Sequence, residues 1–362
     1  MIISRTPYRI SFFGGGTDYP GWYMENDGQV LSTTIDKYLH ISCRYLPPFF
    51  EHRLRLVYSQ IEVCQNSDDL DHPSAREVLK FLGIEDGLEI HYDGDLPGRS
   101  GLGSSSSFTV GLLNALYAYR GKMVSQHRLA MESIHIEQNL IQETVGSQDQ
   151  TNAAYGGLNR IRFSRDGKIT VDPITLSTER IESLDKNLML FYTGIVRTAE
   201  KVAKSYVPDI HTKEKQLFRL YGMVDNAIEI LGKGDLDDFG FLLNEAWEEK
   251  RSLSKLVTNQ QVDEIYDKAK KAGALGGKLS GAGGGGFLLL YVPLAKQHNV
   301  KETLNQLLHV PFRFESNGSQ IIFFDQHQEY KEEELARSEH SHSPFVELKN
   351  LNEKGFINLY SG

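Results

Sequence analysis

Apolar positions change their spacing along this chain, and the changes mark its elements. Ile2 to Phe13 and Val30 to Tyr45 are rich in Ile, Tyr, Phe, Val and Thr, which predicts strands. Leu88-Glu89-Ile90-His91-Tyr92 alternates and closes on a turn beginning Asp93-Gly94-Asp95. From Ser104 the period lengthens. Phe108, Leu112 and Leu116 recur every four residues with Leu113 and Tyr117 beside them, predicting a helix whose four leading serines offer N-caps. A second helix is expected from about Ser125 to Gln142, and Asp166-Gly167 reads as a hairpin turn. Around Leu176 to Lys186 the pattern breaks into the polar stretch Ser177-Thr178-Glu179-Arg180, the expected domain boundary. Helical segments fill much of 198–273, followed by a glycine loop and an apolar strand at 287–292. Residues 331–343 are polar and expected at the surface. The domains expected are 1–180 and 181–330, with a C-terminal extension over 331–362.

A chain of 362 residues has room for two domains. Apolar residues make up 40% and charged residues 24%, which is ordinary globular usage and enough for a sizeable core. The formal charge of −9 disfavours a protein that binds nucleic acid by neutralising phosphates. Two cysteines, Cys43 and Cys64, support neither a disulfide framework nor a four-cysteine zinc site. Met1-Ile2-Ile3-Ser4-Arg5 lacks the features of a signal peptide. The run Phe287 to Val292 falls far short of the ~18 apolar residues of a spanning helix. The expectation is a soluble, cytoplasmic protein with no nucleic-acid or membrane partner.

The 33 glycines exceed the usual ~7% share and are clustered. The clusters are Gly14-Gly15-Gly16, the stretch Gly98 to Gly103, and Gly281 to Gly286. The sharpest motif is Pro97-Gly98-Arg99-Ser100-Gly101-Leu102-Gly103-Ser104-Ser105-Ser106-Ser107, leading into a helix. Such a turn aims free N–H groups and the positive end of the helix dipole at one spot, a site for phosphate. A capped helix needs one serine, and four serines with three glycines exceed that need. No Gly-Lys-Ser/Thr closes the loop, so it is not a Walker A motif. Gly281-Ala282-Gly283-Gly284-Gly285-Gly286 matches GxGxxG but leads into a strand, which disfavours a dinucleotide fold.

Three carboxylates stand out. On a helical wheel Glu137 falls within the apolar stripe of Ala130, Ile134 and Ile141, with Leu140 close by. A buried carboxylate needs a partner, either a buried Arg or a metal such as Mg²⁺. Asp149, expected in a loop before the Tyr155-Gly156-Gly157 turn, and Asp18 would each alone be a turn or capping residue.

Together these residues resemble the GHMP small-molecule kinases, the galacto-, homoserine, mevalonate and phosphomevalonate kinases. The first family motif is Pro7-Tyr8-Arg9-Ile10 running into Gly14-Gly15-Gly16-Thr17-Asp18. The second is the Pro97–Ser107 loop, and the third is Lys278-Leu279-Ser280-Gly281-Ala282-Gly283-Gly284-Gly285. The resemblance spans about residues 1 to 325. It implies an α+β, two-domain GHMP-kinase fold, ribosomal-protein-S5-like at the N-terminus and ferredoxin-like at the C-terminus. Gly-Gly-Gly-Thr-Asp followed by Val30-Leu31-Ser32-Thr33-Thr34-Ile35-Asp36 is similar to kinases of D-glycero-D-manno-heptose 7-phosphate. Those enzymes phosphorylate the anomeric C1 hydroxyl in nucleotide-activated heptose synthesis.

The resemblance implies ATP and Mg²⁺. Asp149 falls at the catalytic aspartate, with Arg9 beside it, and Glu137, 12 residues earlier, at the magnesium-ligand position. One of Ser104 or Ser105 would be the hydroxyl ligand of the metal. ATP phosphates would lie on Pro97, Gly98, Ser100, Gly101, Leu102, Gly103, Ser104, Ser105 and Ser106, with Ser280, Gly281 and Gly283 from the third motif. Gly15, Gly16, Thr17 and Asp18 would meet the sugar, and Arg44, Arg53 and Arg99 are candidates for a sugar-phosphate pocket. A kinase of fucose, galactose or a related heptose competes with this reading, and a homodimer is left open. A decarboxylase of the mevalonate type is disfavoured by Thr17-Asp18. A non-catalytic sugar- and nucleotide-binding regulator also competes, although both the glycine–serine loop and the base are present here.

Overall fold

A computed structural model describes residues 1–47, 49–50, 52–98, 100–195, 199–325 and 332. Arg99 and nearly all of the expected C-terminal extension lie outside the described residues. The strands are β1 (Ile2–Phe13), β2 (Gly28–Tyr45), β3 (Leu54–Val57), β4 (Ile61–Cys64), β5 (Leu88–Gly94), β6 (Asn159–Phe163) and β7 (Ile169–Pro173). They continue with β8 (Leu188–Tyr192), β9 (Gly276–Leu279), β10 (Phe287–Tyr291), β11 (Leu308–Val310), β12 (Phe314–Glu315) and β13 (Gln320–Phe324). One sheet runs β13-β1-β2-β5-β3-β4, with β6 and β12 also pairing β2 and β7 pairing β6. The 18-residue β2 carries β5 along its second half and β6 along its first.

The second sheet has the order β11-β8-β10-β9, with every neighbouring pair antiparallel. Helices separate β8 from β9 and a short helix, Gln297–Thr303, precedes β11, so the order is that of a ferredoxin-like βαββαβ unit. β10 is Phe-Leu-Leu-Leu-Tyr, buried throughout, because both faces of this central strand are covered. β12 and β13 return to the first sheet, so the expected 181–330 segment contributes strands to both sheets.

The helix Ser104–Tyr119 lies on β1, where Gly111 allows close approach: a Cβ there would stand 2.7 Å from Thr6 Oγ1. The helix Leu236–Arg251 joins the two halves, with Phe239 edge-on to Phe12 and Phe13 at centroid distances of 5.4 and 5.0 Å. No helix among the described residues is long and apolar enough to cross a membrane.

Four local expectations are corrected. The polar boundary stretch forms the helix Thr178–Lys186, capped by the Ser177 hydroxyl and burying one residue, Leu184. A surface helix with so narrow an apolar contact shows no stripe in sequence. The second expected helix is α-helical only over Gln126–His135, and Ile136–Leu140 widens into a π-helical turn. That turn alters the rotation per residue, which explains why Glu137 is fully buried while Leu140 is exposed. Asp149 sits in the first turn of a helix, Gln148–Tyr155, not in a loop. Finally, the cap of Ser104–Tyr119 is Gly103, at φ 81°, with no side chain capping; the serines lie inside the helix.

Candidate active site

Period-two alternation on β1 sends Arg9 and Ser11 to the same face, and the strand then runs into Gly14–Asp18. Above that face lies a cavity of about 310 Å³. Its wall includes Arg9, Gly15, Gly16, Asp18, Gly101, Gly103, Ser104, Ser105, Ser106, Asp149 and Gly281. The three glycine clusters, far apart in sequence, therefore meet around one space.

Arg9 organises the centre. Its Nε and Nη2 donate to the two oxygens of Asp149 at 2.7 and 2.6 Å, a bidentate pair. Its Nη1 donates to the Gly101 carbonyl at 2.7 Å, and its backbone N–H to the Leu102 carbonyl at 3.1 Å. One residue thus ties the phosphate-type loop to the carboxylate opposite. Arg9 is buried, whereas the Asp149 side chain keeps 26% of its surface open. At the helix start the first intrahelical bond runs from Ser107 N–H to the Gly103 carbonyl, 2.9 Å. The amides of Ser105 and Ser106 have no acceptor within the helix. Positive φ at Gly101 and Gly103, 84° and 81°, shapes this turn.

Asp18 is buried, and its Oδ1 accepts from Gly16 N–H at 2.9 Å. Burial pushes its carboxyl upward, Asp149 adds to that, and the Gly16 bond opposes it. Gly146 is required beside it, because a Cβ there would overlap the Asp18 carboxylate.

Glu137 stands behind the loop rather than in the cavity wall. Its Oε2 accepts from Ser106 Oγ at 2.9 Å and Gln150 Nε2 at 2.5 Å. Burial pushes its carboxyl up to about 7. No arginine pairs with it among the described residues; its buried Oε1 has no well-formed hydrogen bond there, although the Thr109 hydroxyl is near enough to oppose the effect of burial. A buried carboxylate beside the Ser106 hydroxyl is a donor set that suits Mg²⁺, which takes one or two carboxylates and completes its shell with water and phosphate.

Other expected residues lie elsewhere. Thr17 spends its hydroxyl on the Gly14 and Gln29 carbonyls, 2.8 and 2.9 Å, and holds the turn instead of facing the cavity. Leu102 is buried in the core. Ser100 and Gly283 serve backbone packing: the Ser100 carbonyl accepts from Phe287 N–H at 3.3 Å, and Gly283 lies against Val257. Pro97, Gly98 and Ser280 are also outside the wall. Arg44 pairs with Glu89, and Arg53 donates to the Glu85 carbonyl, so neither reaches the cavity.

Sequence reasoning missed two lysines. Lys250 Nζ donates to the carbonyls of Leu279, 3.3 Å, and Gly281, and Lys278 Nζ donates to Phe12 at 2.9 Å. Both line the cavity and both are buried. Burial pulls the Lys250 ammonium down to about 7, helped by Arg9 and opposed by Asp18 and Asp149. Burial also pulls the Lys278 ammonium well below the usual lysine range, helped by Lys250 and Arg9 and opposed by Asp18. A signal for Lys250 existed: it follows Leu243, Ala246 and Trp247 at helical spacing on a buried face.

The family described as GHMP kinases N terminal domain matches residues 73–157, and GHMP kinases C terminal matches 227–310. The chain belongs to the GHMP kinases. It is a phosphotransferase with an alcohol group as acceptor. Among relatives of this GHMP kinase, the D-glycero-alpha-D-manno-heptose 7-phosphate kinase of Campylobacter jejuni is 28% identical, covering 84% of this chain and 93% of its own. A bifunctional fucokinase/GDP-fucose pyrophosphorylase of Arabidopsis thaliana is 27% identical over 85% of this chain and 31% of its own. The solved D-glycero-D-manno-heptose 1-phosphate kinase of Bacteroides thetaiotaomicron has the same fold, with a TM-score of 0.74 at 22% identity, covering 90% and 100% of the two chains.

Proposed function

We propose that this GHMP kinase transfers the γ-phosphoryl group of ATP to the anomeric C1 hydroxyl of D-glycero-D-manno-heptose 7-phosphate. The observation that carries the reading is the Arg9–Asp149 pair set against the uncapped N-terminus of the Ser104–Tyr119 helix, with Asp18 in the same cavity. The heptose is favoured by the Campylobacter jejuni relative, which the chain matches over most of both lengths.

Phosphoryl transfer is governed by positioning and charge stabilisation. The loop amides and serine hydroxyls of Gly101–Ser106 hold the phosphates of ATP. Asp18 accepts from sugar hydroxyls and orients the ring. Asp149 takes the proton of the attacking hydroxyl, and the Arg9 fork fixes that carboxylate in angle. An anomeric hydroxyl is more acidic than an ordinary sugar hydroxyl, so a carboxylate base suffices. Glu137 and Ser104 or Ser105 would hold Mg²⁺. When bound, that ion neutralises charge on the phosphates.

The test is ADP release by the purified chain with ATP and Mg²⁺ over a panel of heptoses, fucose, galactose and their phosphates. Stimulation greatest with the heptose 7-phosphate is expected. Stimulation only by another sugar reassigns the substrate, and stimulation by none overturns the sugar-acceptor reading.

A further inference from the structure

We infer that Lys250 and Lys278 form a site for a phosphate group carried by the acceptor, so that the cavity selects a sugar phosphate over the corresponding neutral sugar. The inference rests on the proposed kinase reading for what fills the cavity and adds which residues recognise the acceptor's far end.

The two side chains are 7% and 5% exposed, and both reach the cavity wall. An ammonium carries three donors. Lys250 uses two of them on the Leu279 and Gly281 carbonyls, and Lys278 uses one on the Phe12 carbonyl. Neither forms an ion pair among the described residues. Donors therefore remain on both, in a place where burying an unpaired cation is costly.

A second observation points the same way. Ser11 Oγ lies in the same wall, is 92% buried, and has no hydrogen-bond partner among the described residues. Ser11 precedes Phe12, whose carbonyl fixes Lys278, so hydroxyl and ammonium come from adjoining positions. Two ammonium groups and a hydroxyl are the donors that a phosphate monoester accepts from.

The local charges favour an anion. The groups acting on the lysines are Arg9, already paired with Asp149, the Asp18 carboxylate on both and, on Lys250, Asp149 as well. Glu143, the other charged residue of the wall, acts on Glu137 instead. A phosphate dianion gives both ammonium groups the ion-pair partner that neither has among the described residues.

The acceptor, rather than ATP, is the source of that phosphate. The nucleotide has its own cradle at Gly101–Ser106. Lys278 is anchored at the end of β1, where the chain turns into Gly14–Asp18, and the carboxylate acting on it is Asp18 and not Asp149.

The test compares two probes differing only in the phosphate, D-glycero-D-manno-heptose and its 7-phosphate, by titration calorimetry on the full chain. The 7-phosphate should bind at least about tenfold tighter, the equivalent of one good charge-assisted hydrogen bond. Lys278→Met should abolish most of that preference and leave ADP affinity within about twofold. Equal affinity of the wild type for the two probes overturns the proposal without needing any variant to fold. So does a Lys278→Met protein that folds, keeps the preference and loses ADP binding, which would assign the lysine to the nucleotide. Because binding is read apart from turnover, the two readings separate. ADP release with neutral sugar alone leaves the kinase reading and removes this site. Preferential binding of the 7-phosphate without ADP release does the reverse.

Discussion

The loops Gly98–Gly103 and Gly281–Gly286 are alike in composition and differ in what their glycines do. In the second, four glycines are consumed by packing. A Cβ on Gly281 would stand 2.7 Å from the Gly101 Cα, one on Gly283 2.5 Å from the Val257 carbonyl oxygen, and those on Gly285 and Gly286 would overlap the carbonyls of Ile195 and Ser100. In the first loop, Gly101 belongs to the same joint, a Cβ there standing 2.5 Å from the Ser280 carbonyl oxygen. Gly98, by contrast, has nothing within 4 Å among the described residues, and a Cβ on Gly103 would face Arg9 and Asp149 across 3.3 and 3.5 Å. The second loop is mainly a backbone-to-backbone joint, touching the cavity at Gly281, while the first joins it at Gly101 and opens onto the cavity at Gly103. Glycine enrichment alone does not separate these roles. Hydroxyls and a helix N-terminus do, because they offer donors to a ligand, whereas a joint needs only the absence of side chains.

The comparison is tested most severely on the open loop's side of the cavity. Asp149→Asn keeps size and hydrogen-bonding reach but cannot accept a proton, so kcat should fall by about 10² to 10⁴ with ADP affinity near wild type. Steady-state kinetics retaining more than about a tenth of kcat would place the base elsewhere.

The next effect contrasts the loops directly. Gly286→Ala forces a Cβ into the Ser100 carbonyl at φ +88°, and should cost about 3 kcal/mol of stability. Gly98→Ala should change stability by less than about 0.5 kcal/mol. Urea denaturation showing equal losses would erase the distinction between joint and open loop.

The most gradual effect, read per pH unit, concerns the lysine that tethers the joint. In the folded chain Lys250 titrates at about 7, against about 10.4 for a lysine in the unfolded chain. Between those values the unfolded chain holds a proton that the folded one does not. Stability therefore rises with pH across that window, by up to about 1.4 kcal/mol per pH unit, and is insensitive to this group below it. Lys250→Met should flatten that rise between pH 7 and pH 10. Parallel stability profiles for the two proteins would show that the ammonium is not held as the structure indicates.

The site was only partly legible in the chain. Arg9, Asp18, Asp149 and the serine loop lie in short motifs whose local chemistry is unusual, and the structure brings them together. Glu137 was visible as a carboxylate in an apolar stripe, yet its depth behind Ser106 follows from a π-helical turn that a fixed wheel does not register. Thr17 and Leu102 sit in the same motifs as the site residues, and only their hydrogen bonds and burial show that they hold the turns. Lys278 stood in a quoted motif without a role, because its meaning depends on the carbonyl of Phe12, 266 positions away.

By itself, the order of residues determined the strands β1, β2, β5 and β10, the helix after the serine loop and the types of group available for chemistry. Period, turn residues and helix starts are local properties, set within a few residues of each other. The tertiary structure alone decided that β12 and β13 return to the first sheet, that Gly101 and Gly281 pack backbone to backbone, and that two lysines reach the same cavity as Asp18. Those outcomes depend on which distant surfaces exclude water together, and burial of that kind leaves no mark at any single position.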